Sequence, residues 1–253
     1  MRSFGSLLLR GLLAGLFAGL LAGTFAYMMG EPHIDAAIAI EESHSTAHDH
    51  DSTAAHAEPE EEPLVSRDGQ RAGLFLATGL YGVALGGILA TGFALLRRRF
   101  RTTTDGVAAL ALAGAGFLGM VLVPFLKYPP NPPAVGNPDT ITRRTVTYLM
   151  TIVIGLLAVW LGAWVARRVP AQRVWLRFAA GAGAFVATVV AAYLLLPSIT
   201  EVPDDFPAVL LWRFRFASLG TQTVLWSLLG VGYAAALDLP LRKPAPLPAA
   251  ARA

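Results

Sequence analysis

The sequence predicts an all-α polytopic membrane protein, a single domain over 1–253 with six transmembrane helices and both termini cytoplasmic. Two observations carry this expectation. Of the 253 residues 55% are apolar and 15% charged, and the apolar residues fall in long runs without charge. A run of about 20 apolar residues, at about 1.5 Å rise each, crosses about 30 Å of hydrocarbon. Six runs qualify, at about 11–29, 72–96, 106–126, 145–166, 178–200 and 216–237. The second observation is how the charges sort between the runs. Thirteen basic residues, among them Arg10, Arg97, Arg98, Arg167, Arg168, Arg173 and Arg177, fall on one side, whereas the other side holds seven together with fifteen of the seventeen acids. By the positive-inside rule the first side is the cytoplasm. The net charge of +3 is then a topology signal, and no nucleic-acid partner is expected.

The first run reads GLLAGLFAGLLAGTFAYMM, with Gly11, Gly15, Gly19 and Gly23 spaced by four. Glycines at that interval form a smooth ridge along which a neighbouring helix approaches closely. The run is expected to remain as a first span rather than be cleaved as a signal peptide, with its ridge packed against another helix of this chain. Span two carries a second close pair, Gly82 and Gly86, and ends at the basic cluster from Arg97 to Arg101. Span three stops at PFLKYPPNPPAVGNP, a proline density that forbids helix and predicts a stiff, shaped external loop. Asp139 and Thr140 are placed to cap the fourth span, which carries Trp160 and Trp164 at head-group depth. Pro197 opens the second external loop, PSITEVPDDFPAV. On the sixth helix Arg215, Ser218 and Gln222 share one face, a polar stripe reaching into the membrane.

The chemistry-bearing residues gather outside. The segment 30–71 is an external His/acid-rich loop, and its core from Gly30 to Glu62 holds all five histidines and ten of the seventeen acids. Imidazole and carboxylate are the ligands of borderline divalent metals such as cobalt, nickel and zinc, and the chain has no cysteine to offer thiolate. The candidate metal ligands are Glu31, His33, Asp35, His44, His48, His50 and His56, with Asp204 and Asp205 from the second loop. The same composition also describes a solvated linker without a specific ligand. Met28 and Met29 read as packing, which disfavours copper.

Other function classes fit poorly. There is no GxxxxGK[ST] phosphate cradle, and no nucleophile and base pair stands at helical spacing, so neither ATP hydrolysis nor an enzyme is expected. No cofactor is expected, a metal ion being cargo. The alternative to a transporter is a non-transporting membrane scaffold or accessory subunit.

Three blocks carry a resemblance: RGLLAGLFAGLLAGTFAYMMGEPHIDAAIAIEE, FLKYPPNPPAVGNPDTITRRT and LPSITEVPDDFPAVLLWRFRFASLGTQTVLW. Together they resemble the CbtA family, predicted cobalt transporter subunits of bacteria. The resemblance implies cobalt uptake for corrinoid (cobalamin) biosynthesis at the cytoplasmic membrane, beside a small membrane partner, CbtB. Matched by position, it implies roles for Glu31, Pro32, Asp35, Glu41 and Glu42 in the first block. It does the same for Lys127, Tyr128, Asn131, Asp139 and Arg144 in the second, and for Glu201, Pro203, Phe206, Arg213 and Arg215 in the third.

Overall fold

A computed structural model describes residues 3–49, 66–100, 104–133 and 135–239, and all regular structure among them is helical. Helix α1 (Phe4–Met29) starts at Ser3, whose hydroxyl accepts from the Ser6 N–H at 3.3 Å. Only Gly30 separates it from α2 (Glu31–Asp49). The polar segment was expected as a loop, yet its first part is helical. Local chemistry supports the restart: Gly30 keeps a helical conformation, Glu31 puts an acid at the positive end of the new helix, and Pro32 sits in the first turn, where its missing N–H costs nothing. Helix α3 (Arg67–Leu96) likewise begins before the apolar run, capped by Ser66.

A short 3-10 turn, Arg97–Arg99, ends α3, and Arg97 pairs with Asp105 at 2.5 Å across the turn into α4 (Asp105–Phe117). Helix α4 runs on through a π turn, Leu118–Leu122, into α5 (Val123–Lys127). Pro124 explains the π turn, because a proline cannot donate to the ladder and crowds the preceding turn; one extra residue absorbs the misfit, with the Val123 N–H reaching back to Leu118. Helices α6 (Ile141–Arg168), α7 (Val174–Leu195) and α8 (Ala208–Asp238) complete the bundle.

Among the described residues five helices are long and apolar enough to cross a membrane: Phe4–Met29, Arg67–Arg99, Asp105–Lys127, Ile141–Arg168 and Val174–Leu195. Helix α8, expected as the sixth span, is long enough at 31 residues but is not among them. Arg213, Arg215 and Gln222, with the hydroxyls of Ser218, Thr221 and Thr223, dilute its apolarity. It tolerates them because it packs on α1 and α4, and Leu225, Trp226, Leu229, Tyr233 and Leu237 are buried there. The other helices present apolar faces outward, as Leu76 at 66% and Val153 at 56% exposure show. Such faces suit lipid rather than water.

The bundle has two packs. In the first, α1, α3, α4 and α8 share a core of Ala18, Leu89, Phe93, Ala109 and Tyr233. In the second, α6 packs on α7, with Val123, Ala158 and Val189 buried together. The π turn joins them, since Gly119 lies on Gly155 of α6 so closely that a methyl on either would strike the other's backbone. Arg10 closes one end of the first pack by donating to the carbonyls of Ala236 and Leu239, the orphan acceptors at the end of α8. Arg168 stacks on Trp164 at 4.3 Å at the corresponding end of α6, where the sequence anticipates an interfacial aromatic.

The glycine ridge of α1 meets α3, as expected of a packing face within this chain. A methyl on Gly15 would run into the carbonyl of Gly82, one on Gly86 into that of Gly11, and one on Gly19 into that of Thr78. We expect Gly82→Leu to unfold or loosen the purified protein, with a loss of about 1–3 kcal/mol or more. Gly73→Ala, where a methyl meets nothing within 4 Å, leaves stability unchanged or slightly raised. Thermal denaturation in detergent checks this, and equal effects of the two substitutions contradict the tight α1–α3 contact.

Candidate functional site

Two polar features occupy the end that carries the proline-rich loops, termed here the outer end. The first is an ion-pair latch between α2 and α3. Glu31 and Asp35 stand four apart on α2, and Arg67 and Arg71 stand four apart on α3, so each pair shares a helix face. Arg67 donates to Glu31 at 2.9 Å and also to Asp35, and Arg71 donates to Asp35 at 3.0 Å. Arg71 adds a longer ion pair to Glu31 at 3.6 Å. Glu31 is buried, at 8% exposure, and its charge is matched there by the two guanidinium groups. The hydrogen bond from Arg67, reinforced by the charges of both arginines, holds the Asp35 carboxyl below the usual carboxylate range against the opposing pull of desolvation.

The second feature is a cavity of about 830 Å³ in the seam between the two packs. Tyr81 of α3 lines it, as do Met120, Val121 and Phe125 of the π turn and α5, Tyr148 and Leu149 of α6, and Arg215, Ser218 and Gln222 of α8. The two outer loops roof it, and one acid ties them together. Glu201 accepts from the Thr140 hydroxyl and from the Asn137 N–H at 3.1 Å, and pairs with Arg144 at 3.2 Å. The Thr140 hydrogen bond leads these effects, and together they hold the Glu201 carboxyl below the ordinary glutamate range. Thr140 therefore does not cap α6 through its side chain as expected; its hydroxyl is committed to Glu201 and to the Asn137 carbonyl. Gly136, at φ 142°, turns the loop in a conformation that suits glycine, and the Arg144 guanidinium fills the space where a side chain would project. Further lacing comes from Lys127, which donates to the Tyr193 carbonyl at 3.0 Å, and from the Tyr128 hydroxyl, which donates to that of Pro197 at 2.7 Å.

Arg215 lies along the wall of this cavity. It donates to the Pro130 carbonyl at 3.3 Å and to the Asn131 side-chain oxygen at 3.0 Å, and stacks over Trp212 at 5.4 Å. The polar stripe anticipated on α8 is thus real, and all three of its members face the cavity.

The described candidate metal ligands form no cluster of three. Glu31 and Asp35 come together, and both are engaged by Arg67 and Arg71. His33 is half-buried in the first turn of α2, and Asp204 and Asp205 are exposed in the second outer loop. His44 and His48 stand four apart on α2. His50 and His56 lie outside the described residues. Among the described residues no three of His, Asp or Glu stand close enough to hold a metal ion. Sequence reasoning missed Arg67 and Arg71, although their spacing mirrors that of Glu31 and Asp35. It also missed Tyr81 and Tyr148, which carry no signal in a span beyond being aromatic.

A family model described as a probable cobalt transporter subunit (CbtA) matches residues 4–238. The chain belongs to the CbtA family. The match spans both the latch and the cavity, and makes this a multi-pass membrane subunit of a kind associated with cobalt transport. No curated protein and no solved structure matches the chain.

The latch has a defined pH response. A carboxyl whose pKa is lowered by folding adds stability that is fully present above its unfolded value, about 3.9 for Asp, and that is lost as pH falls through the lowered one. The protection factor of the α2–α3 junction, its hydrogen-exchange rate corrected for the intrinsic pH dependence of amide exchange, is therefore expected to stay constant from about pH 7 to pH 5 and to fall only below about pH 4. Asp35→Asn should exchange faster at neutral pH. Loosening of the wild-type junction already between pH 6 and 5 contradicts this.

Proposed function

We propose that this CbtA protein is the membrane subunit of a divalent metal uptake transporter with Co2+ as cargo, working in the bacterial cytoplasmic membrane beside CbtB. Membership of a family described as a probable cobalt transporter subunit, across 4–238, carries this reading. In it α8 is the sixth span and both termini are cytoplasmic. The arrangement of ends supports that topology: Arg10, Arg97, Arg168 and Arg177 lie at one end of the bundle, and Glu31, Glu201 and the proline loops at the other. The histidine segment that follows Glu42 gathers metal outside the membrane. His44 and His48, one helical turn apart on α2, begin that segment, and His50 and His56 extend it. No catalytic step belongs to this reading.

A non-transporting accessory subunit is the second reading. The observation favouring it is that Glu31, Asp35 and Glu201 are already committed to arginines. Uptake of radioactive cobalt into metal-starved cells separates the two. Cells expressing the chain with CbtB should accumulate cobalt, and replacing His44, His48, His50 and His56 together by alanine should lower uptake severalfold at limiting metal but not at saturating metal. Accumulation by CbtB-expressing cells that is the same with and without this chain contradicts the transport reading. Unchanged uptake by the four-histidine variant at limiting metal contradicts the gathering role alone.

A further inference from the structure

The seam cavity has the wrong charge for a bare metal ion. Its walls carry two guanidinium groups, Arg144 and Arg215, and one carboxylate, Glu201. Arg144 and Glu201 neutralise each other at 3.2 Å. Arg215 has only neutral partners, the Pro130 carbonyl and the Asn131 amide oxygen, and no ion pair among the described residues. Those two bonds use its Nε and one terminal nitrogen, so most of its five N–H donors are left for a ligand. A positive charge in a partly desolvated wall repels a divalent cation and attracts an oxyanion.

The remaining lining narrows the class further. At 830 Å³ the cavity is of a size that holds an organic molecule rather than a hydrated ion. Two turns deeper on the same face of α8, Gln222 has its side-chain oxygen buried without a hydrogen-bond partner. A buried acceptor in that state calls for a donor. The phenol-bearing Tyr81 and Tyr148 and the apolar Phe125, Leu149 and Leu219 complete the wall. We infer that the cavity is a binding site for an oxyanion that also bears hydroxyl groups, its negative group on Arg215 and a hydroxyl donating to Gln222. A soluble hydroxycarboxylate and an anionic lipid headgroup with free hydroxyls share that chemistry. The inference goes beyond the transport reading and stands or falls without it, because binding is measured with no transport step.

The full chain is placed in nanodiscs of phosphatidylcholine and titrated with citrate, and separately in nanodiscs containing phosphatidylglycerol. Thermal stability and the change in tryptophan fluorescence, to which Trp212 stacked on Arg215 contributes, report occupancy. A saturable shift with citrate assigns the site to a soluble anion, one with phosphatidylglycerol to a lipid headgroup, and either supports the inference. The apparent affinity should weaken about tenfold or more in Arg215→Gln, as loss of a charged hydrogen-bond partner implies, and stay unchanged in Arg213→Gln, whose side chain is exposed. Ser218→Phe, which puts a ring into the cavity between Arg215 and Gln222 and removes neither bond of Arg215, should abolish the shift even where Arg215→Gln fails to fold. No shift with either probe, an equal shift in Ser218→Phe, or a shift given by cobalt chloride alone would overturn it.

Discussion

The backbone contact between α1 and α3 is the constraint on which the rest of this structure depends. Lipid removes the hydrophobic drive that brings helices together in water, so close van der Waals approach has to replace it. Glycines four apart on α1 and their partners Gly82 and Gly86 on α3 provide that approach, with carbonyl oxygens of one helix lying where a side chain of the other would begin. Once α1 and α3 are fixed this closely, α2 leaves Gly30 beside the start of α3. Glu31 and Asp35 then meet Arg67 and Arg71 with little choice of partner. The same placement brings Tyr81 of α3 to the wall of the cavity.

A second small-residue contact, Gly119 against Gly155, does for the two packs what the first does for two helices. It lies in the π turn that Pro124 makes necessary, so a local defect in one helix becomes the hinge point of the whole seam. The cavity opens where the packs diverge from that point toward the outer end. Its roof is held by Glu201, one acid with two partners from the other loop, Asn137 and Thr140, and a third, Arg144, from the first turn of α6. The helices set the width of the site and the loops close it, a division of labour that suits a chain with few charges.

The helical class, the membrane setting, the glycine ridge and the α8 stripe were legible in the sequence because each rests on a period that one helix displays alone. Helix α2 was not, since Ser, Thr, His and Ala without apolar periodicity describe a linker as well as a helix. What decides between them is the tertiary contact of Glu31 and Asp35 with Arg67 and Arg71, more than thirty residues away. The count of spans by apolarity differed at α8 for a related reason. Helix α8 carries Gln222 and Arg215 on the face turned to the cavity, while Val209, Phe216 and Val231 are exposed on its other side, and mean apolarity does not separate the two faces. Glu31 and Asp35 stand out in the sequence as acids beside a span, but their pairing with arginine depends on which helix lies beside them, and periodicity is silent about that.

Helix α8 turns its Arg215, Ser218 and Gln222 face to the cavity, and the proposed topology opens that cavity to the outside. The chain contains no cysteine, so single cysteines report position without background. Ser218→Cys in intact cells is predicted to react with a membrane-impermeant thiol reagent added outside, whereas Leu228→Cys, further along α8, is predicted to stay unmodified. A Ser218→Cys that reacts only after the cytoplasm is exposed, or not at all while the protein is folded and inserted, would contradict the account.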